Sequence, residues 1–339
     1  MLPINQIIQG DTLTELKKLP DECVDCVITS PPFFNLRDYG VEGQIGLEKT
    51  WQEYIAKLII IFYEVKRVLK KEGTCFVNLG DSYSSIGKLC GDFTREDDDK
   101  KWGKHDSNRG RSRIQKGTYP EKCLMMIPER FAISMVDNGW ILRNKLIWVK
   151  PNAMPESVED RWKKAHEYFF FFTKNKKYFF DLDAIRTPHK QVSLKRAEYE
   201  QGRNALGMNA SSMGEKYGRD KDNRDKMDKY LSMPSRLVKL NPKGAVPPDY
   251  FIVNTNCSED DSSKEHYATY PQNLIYPLVV AGCPKNGLIL DPFVGYGTTC
   301  VVAKKNSRNF IGIDLSPKYC EMARERIAGT NPPLPLSTF

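Results

Sequence analysis

No apolar run in the 339 residues approaches the roughly 20 that a membrane helix needs. The longest candidate, Phe169 to Phe172 with its flanks, fits a buried strand better. The start, Met1-Leu2-Pro3-Ile4-Asn5, has neither the basic residues nor the apolar stretch of a secretory signal, so a cytoplasmic protein is expected. A disulfide framework is missing too: the nine cysteines are scattered and odd in number, which favours free thiols. Cys23 and Cys26 form a lone CxxC, with no second pair of ligands at a spacing that would complete a zinc site. Cys26 alternates with apolar residues in a predicted strand and reads as packing, so no metal is expected. The formal charge of +8 is modest and permits a polyanionic partner without demanding one. What is present, 40% hydrophobic and 28% charged residues, is the content of a globular protein. The length allows one elaborated domain or two ordinary ones.

The chain reads as ordered blocks separated by two polar inserts. Val24 to Thr29 is a short apolar run cut off by Ser30-Pro31-Pro32, hence a strand ended by proline. From Trp51 to Leu69 apolar residues recur at helical spacing, and Thr50 with Glu53 makes a capping box at the start. A strand at 74–79, a helix near 129–137 and strands at 140–149 and 166–173 complete the first block. The insert 87–122 is rich in charge, Gly and Ser. A second insert, Thr187 to Gly244, carries 13 Lys/Arg against 7 Asp/Glu, so much of the positive surplus sits there. The last block restarts with a helix at 272–281, a strand at 288–291, a helix after Gly297, a strand at 310–314 and a helix from Pro317, with Ser316 as N-cap. Alternating strands and helices predict a doubly wound, mostly parallel α/β sheet.

Two loops carry candidate chemistry. Asp291-Pro292-Phe293-Val294-Gly295-Tyr296-Gly297-Thr298-Thr299 follows one strand and opens a helix, and Asp314 ends the next strand about twenty residues on. Glycines there let the backbone turn sharply beside a ligand, and the acid is placed to accept from ribose hydroxyls. The third glycine of the dinucleotide fingerprint is missing, and no Gly-Lys-Ser/Thr follows to hold phosphates. A nucleoside without phosphate therefore fits better than NAD or ATP. In Ser30-Pro31-Pro32-Phe33 two prolines remove two N–H donors, so carbonyls can face outward as acceptors. Ser30 adds an oxygen and Phe33 a ring face, a combination suited to a planar ligand with an sp2 amino group. The same residues would also serve simply to end a strand over a buried Phe.

These two motifs resemble those of the amino-methylating, site-specific DNA methyltransferases (N4-cytosine/N6-adenine). The catalytic loop of that family reads Asp/Asn/Ser-Pro-Pro-Tyr/Phe/Trp, and its cofactor loop is similar to Asp-Pro-Phe-x-Gly-x-Gly-Thr-Thr. Here the catalytic motif comes first, as in the permuted beta-type order. The resemblance covers most of the chain. Gly10-Asp11 is similar to the position whose acid contacts the cofactor's adenine, and Gly73 to Ser82 to the next core strand and its loop. Arg143 to Asn152 and His166 to Phe169 resemble strands flanking the base pocket. Tyr270-Pro271-Gln272 resembles the element that helps to cover the methionine moiety. Two positions depart from the pattern: Tyr296 stands where a small residue is more usual, and Ser30 where Asp is commonest.

The resemblance implies a seven-stranded-type Rossmann-like methyltransferase sheet and S-adenosyl-L-methionine as cofactor, with double-stranded DNA as partner. A cognate restriction endonuclease acting on the same site becomes a candidate companion. It implies Ser30, Pro31, Pro32 and Phe33 as catalytic, and Asp11, Asp291, Phe293, Gly295, Gly297, Thr298 and Asp314 as cofactor-binding. The target base would flip out of the stack, and its amino group would attack the methyl directly. Cytosine C5 chemistry needs a thiolate, typically in Pro-Cys; only the reverse, Cys283-Pro284, occurs. Ser30 favours cytosine N4, with adenine N6 as the alternative; an RNA or protein amino-methyltransferase is more distant. Residues 1–186 and 247–339 would form the catalytic and cofactor-binding parts of one domain, and 187–246 a target-recognition insert. Arg196, Arg203, Arg219, Arg224, Lys226 and Arg236 are its candidate DNA contacts. The four aspartates interleaved among them read equally well as charge balance on a solvated segment.

Overall fold

Four consecutive phenylalanines cannot all face one side of a strand, because successive side chains alternate. In the computed structural model, Phe170 and Phe172 enter one hydrophobic core and Phe169 and Phe171 enter another. The sheet between these cores is therefore covered on both faces at its centre, which is why stretches such as Phe169 to Phe172 and Leu288 to Leu290 read as unbroken apolar runs. The structure describes residues 2–84, 119–195, 197, 240–255 and 270–330.

The elements run β1 (Gln6–Gln9), α1 (Thr12–Lys18), β2 (Val24–Thr29), α2 (Trp51–Val68), β3 (Leu69–Leu79), α3 (Ile127–Asp137), β4 (Ile141–Val149), β5 (His166–Thr173), β6 (Tyr250–Ile252), α4 (Gln272–Gly282), β7 (Leu288–Asp291), α5 (Thr298–Lys305), β8 (Asn309–Asp314) and α6 (Pro317–Ala328). They form one sheet of order β1-β8-β7-β2-β3-β5-β4-β6. Only β5 runs against its neighbours. Seven strands make the expected doubly wound arrangement, and the three-residue β6 adds an eighth at the edge beside β4. Helices α1, α2 and α3 supply Leu16, Tyr54, Leu58, Phe62 and Phe131 to one core; α4, α5 and α6 supply Leu274, Leu278, Cys300 and Ala323 to the other. Cys26 lies in the second core and is packing, in keeping with its alternation in β2.

The capping box at α2 is complete: Glu53 N–H donates to Thr50 Oγ1 and Thr50 N–H to the Glu53 carboxylate. Ser316 caps α6 with Pro317 in the first turn. Among the described residues, the elements missed from sequence include β1, α1 and β6, all too short to show a period.

The chain divides into two units, residues 1–184 with 248–339, and residues 185–247. In the smaller unit, Thr187 and Ala245 exchange backbone hydrogen bonds of 3.1 and 2.7 Å, so its two chain ends are paired. The six proposed DNA contacts, Arg196 to Arg236, lie outside the described residues, as does most of the insert 87–122. Among the described residues no helix is long and apolar enough to cross a membrane.

Candidate active site

Strand order reverses between β7 and β2. From β7 the chain crosses through α5 to β8 on one side; from β2 it crosses through α2 to β3 on the other. At such a point the loops after the two strands diverge and leave a crevice at the strand ends. The residues opening onto it are those of the two motifs, because β2 ends at Thr29 and β7 at Asp291. The strands pair directly, Val27 against Leu290, so motifs some 260 residues apart in sequence become neighbours.

Asp291 joins them. It is 1% exposed, and its Oδ1 accepts from the Thr29 hydroxyl at 2.7 Å and from Phe293 N–H at 3.1 Å. Its Oδ2 accepts from the hydroxyls of Thr299 at 2.7 Å and Tyr270 at 3.2 Å. Burial pushes the carboxyl up to about 6, and the four hydrogen bonds oppose that shift. The structure thus puts Asp291 beneath the cofactor loop with both oxygens engaged, where the resemblance implies a cofactor contact. Tyr270 is likewise buried under the loop, its hydroxyl on Asp291 and Thr299 rather than outside.

The turn itself needs glycine twice. Gly295 has φ +48 and Gly297 φ +80, left-handed values that other residues reach only with strain. A Cβ on Gly297 would sit 3.0 Å from Ala323 Cβ of α6, whereas one on Gly295 would meet nothing within 4 Å. Gly295 N–H and Ser316 N–H donate to the two oxygens of Asp314, both at 2.8 Å. Burial raises the Asp314 pKa, and these N–H donors oppose the rise. Asp11 is exposed and caps α1 through Thr14, while its neighbour Thr12 donates to the Pro292 carbonyl at 2.8 Å. Gly10 N–H reaches the Asp314 carbonyl at 2.9 Å. Three strand ends thus converge on one turn. Phe293 is half-buried; Thr298 is buried, its hydroxyl accepting from Arg326 at 2.8 Å. Tyr296 lies under the same guanidinium, 4.5 Å from its ring centre, and so projects toward α6. No Lys or Arg occurs in 291–298. An open glycine turn beside a carboxylate, with no Lys or Arg of its own and with Arg326 engaged by Thr298 and Tyr296, fits a nucleoside without phosphate.

On the other side, Ser30 Oγ donates to Asn78 Oδ1 at 3.0 Å, and Asn78 Nδ2 donates to the Tyr168 carbonyl at 3.1 Å. Tyr54 OH holds the Pro32 carbonyl at 2.9 Å. The two phenylalanines separate. Phe34 is 1% exposed against Tyr54, whereas Phe33 is half-buried with its ring edge against Gly80, where a Cβ would come within 2.5 Å. Sequence reasoning did not find the following stretch, 34–48, which folds back on this loop. Asn35 N–H donates to the Gly46 carbonyl at 2.7 Å, and Tyr39 packs edge-on against Tyr319 of α6. Gly46, at φ +101, was the available signal.

A family model described as DNA methylase, of the N6/N4 type, matches residues 24–325. The type II methyltransferase M.XycI of Xanthomonas campestris pv. cyanopsidis is 36% identical over 329 residues, 96% of this chain and 88% of that protein. M.SmaI of Serratia marcescens is 35% identical over 95% of this chain and 90% of its own length. Among solved structures, the PvuII DNA methyltransferase (cytosine-N4-specific) superposes with a TM-score of 0.61 at 19% identity, covering 96% of this chain and 86% of that one. The M1.HpyAVI–SAM complex gives 0.51 at 16% identity, covering 95% and 98%. These last two show the shared fold. The sequence match runs through both loops that meet across the β2–β7 pair, and on that match the chain belongs to the N6/N4-type DNA methylase family.

Proposed function

We propose that this DNA methyltransferase modifies the exocyclic N4 of cytosine in duplex DNA, with S-adenosyl-L-methionine as methyl donor. One observation carries the amino-group part of this reading, the pairing of Ser30 with Asn78. The Tyr168 carbonyl can only accept, so the Asn78 amide nitrogen faces it and Oδ1 faces Ser30. The serine proton is thereby engaged, and Oγ keeps its lone pairs for an incoming N–H. An exocyclic amino group supplies such N–H donors, and the Pro31 carbonyl is the second acceptor. Two acceptors favour a pyramidal nitrogen whose lone pair is free to attack. The cofactor supplies an electrophilic sulfonium methyl. Gly295 and Gly297 shape its loop, and the Asp314 oxygens each retain a lone pair for a ribose hydroxyl. Asp11, Phe293 and Thr298 complete that side, while Asp291 positions the turn.

Flipping the base costs a few kcal/mol, and stacking on Phe33 offsets about 1–3 kcal/mol of it. Ser30 in the first motif position supports cytosine over adenine, as does the fold shared with a neighbour named cytosine-N4-specific. In this reading residues 187–246 recognise the target through their basic surplus, in the cytoplasm of a bacterial, archaeal or phage-infected cell, with a cognate endonuclease as candidate companion. The test is to methylate duplex DNA, digest it to nucleosides and identify the product by mass. N4-methylcytosine is expected, and N6-methyladenine would overturn the choice of base.

A further inference from the structure

Residues 150–165, connecting β4 to β5, carry the most exposed large apolar side chain among the described residues. Trp162 is 93% exposed, and Met154 on the same connection is also exposed. An indole left in water forfeits the large burial an aromatic side chain can gain.

The connection is braced around this residue. Lys150 N–H donates to the Ala165 carbonyl at 2.8 Å, and the Lys150 side chain pairs with Glu167. Asn152 accepts from Thr255 N–H at 2.8 Å. Arg161 pairs with Glu156 at 2.7 Å while its guanidinium lies 4.1 Å from the Tyr83 ring centre. On the other side of Trp162, Lys164 donates to the Asp81 carbonyl. Arg161 before the indole and Lys164 two residues after it are therefore anchored, and the indole between them is exposed.

Its location follows from the sheet. β4 and β3 both run against β5, so β4 ends on the same rim as β2 and its Ser30–Phe33 loop. Asp81 and Tyr83, which hold Arg161 and Lys164, directly follow β3, whose Asn78 holds Ser30. The exposed Lys163 fits one kind of partner: it donates to the neutral Ala153 carbonyl at 3.3 Å, so its charge is not cancelled by that contact, whereas Lys164 is half-buried beside the Asp81 carboxylate and Asp160 is paired with Lys122.

We infer that Trp162 is a DNA wedge: its indole stacks on a base exposed when the target leaves the duplex, while Lys163 holds an adjoining phosphate. Apolar and aromatic side chains open base steps this way, and every base offers a π-face. The inference rests on DNA being the methyl acceptor.

The test compares full-length wild type, Trp162→Ala and Trp162→Phe. Duplex Kd, KM for DNA, kcat and S-adenosyl-L-methionine binding are measured, with acrylamide quenching of the fluorescence lost in Trp162→Phe. Trp162→Ala should weaken duplex binding and raise KM for DNA by about tenfold, leaving cofactor binding unchanged, and Trp162→Phe should recover most of the loss. The indole should quench freely without DNA and be protected by it. Unchanged DNA binding and KM in Trp162→Ala would overturn the wedge, as would an indole already shielded in the free protein, or a loss of cofactor binding equal to that of DNA. Wild type that transfers no methyl to duplex DNA would overturn the acceptor assignment and the wedge with it.

Discussion

Three hydroxyl or phenol groups and one amide N–H reach the Asp291 carboxylate, and none of these donors is charged. Burial therefore dominates and raises the pKa to about 6, and the four uncharged donors offset only part of that rise. The unfolded value is about 4, so the native state binds the extra proton between the two. Its stabilising contribution is complete at low pH and is lost as pH rises through about 6. Asparagine at this position does not titrate. The stability of wild type relative to Asp291→Asn should fall by roughly 1 kcal/mol from about pH 5 to about pH 7.5. Urea unfolding at both ends of the range reads this, and an unchanged difference would mean that Asp291 does not titrate there. The motif made Asp291 legible in sequence as part of the cofactor turn. Which way its carboxylate points was not, because Thr29 and Tyr270 reach it from distant parts of the chain.

At the scale of elements, the two glycines of one turn do different work. Both are left-handed, and alanine in that conformation costs roughly 1–2 kcal/mol. Only Gly297 also faces Ala323 at 3.0 Å, where an added Cβ forces α5 and α6 apart. Gly297→Ala should therefore destabilise the protein more than Gly295→Ala does, by about 1 kcal/mol or more. Thermal unfolding of the two variants compares them directly; equal losses would show that the α5–α6 contact yields freely. The turn was readable in advance because glycine at fixed offsets after a strand has few other uses. The α2 capping box was readable for a similar reason, since both partners lie within four residues. By contrast, β1 and β6, of four and three residues, exist because a neighbouring strand pairs with them.

For the whole molecule, the two-unit division makes residues 185–247 removable in principle. The Thr187–Ala245 pairing brings the cut ends together, so a short glycine-serine linker can replace residues 188–244. The shortened chain should bind S-adenosyl-L-methionine as wild type does and lose site-specific DNA binding. Calorimetry with the cofactor and gel shifts with target and non-target duplexes separate the two effects. Site-specific methylation by the shortened chain would assign recognition to the rest of the molecule.

The sequence by itself determined the α/β class, most of the strands and helices, and the two loops that face the crevice. These depend on periodicity, proline, glycine and caps, all of which act over a few residues. Only the tertiary structure decided that Thr29 and Thr299 share one buried carboxylate, that Asn78 takes the Ser30 proton, and that Phe33 rather than Phe34 stays half-exposed. Each of these depends on side-chain direction across paired strands, and β2 meets β7 only after the sheet has formed.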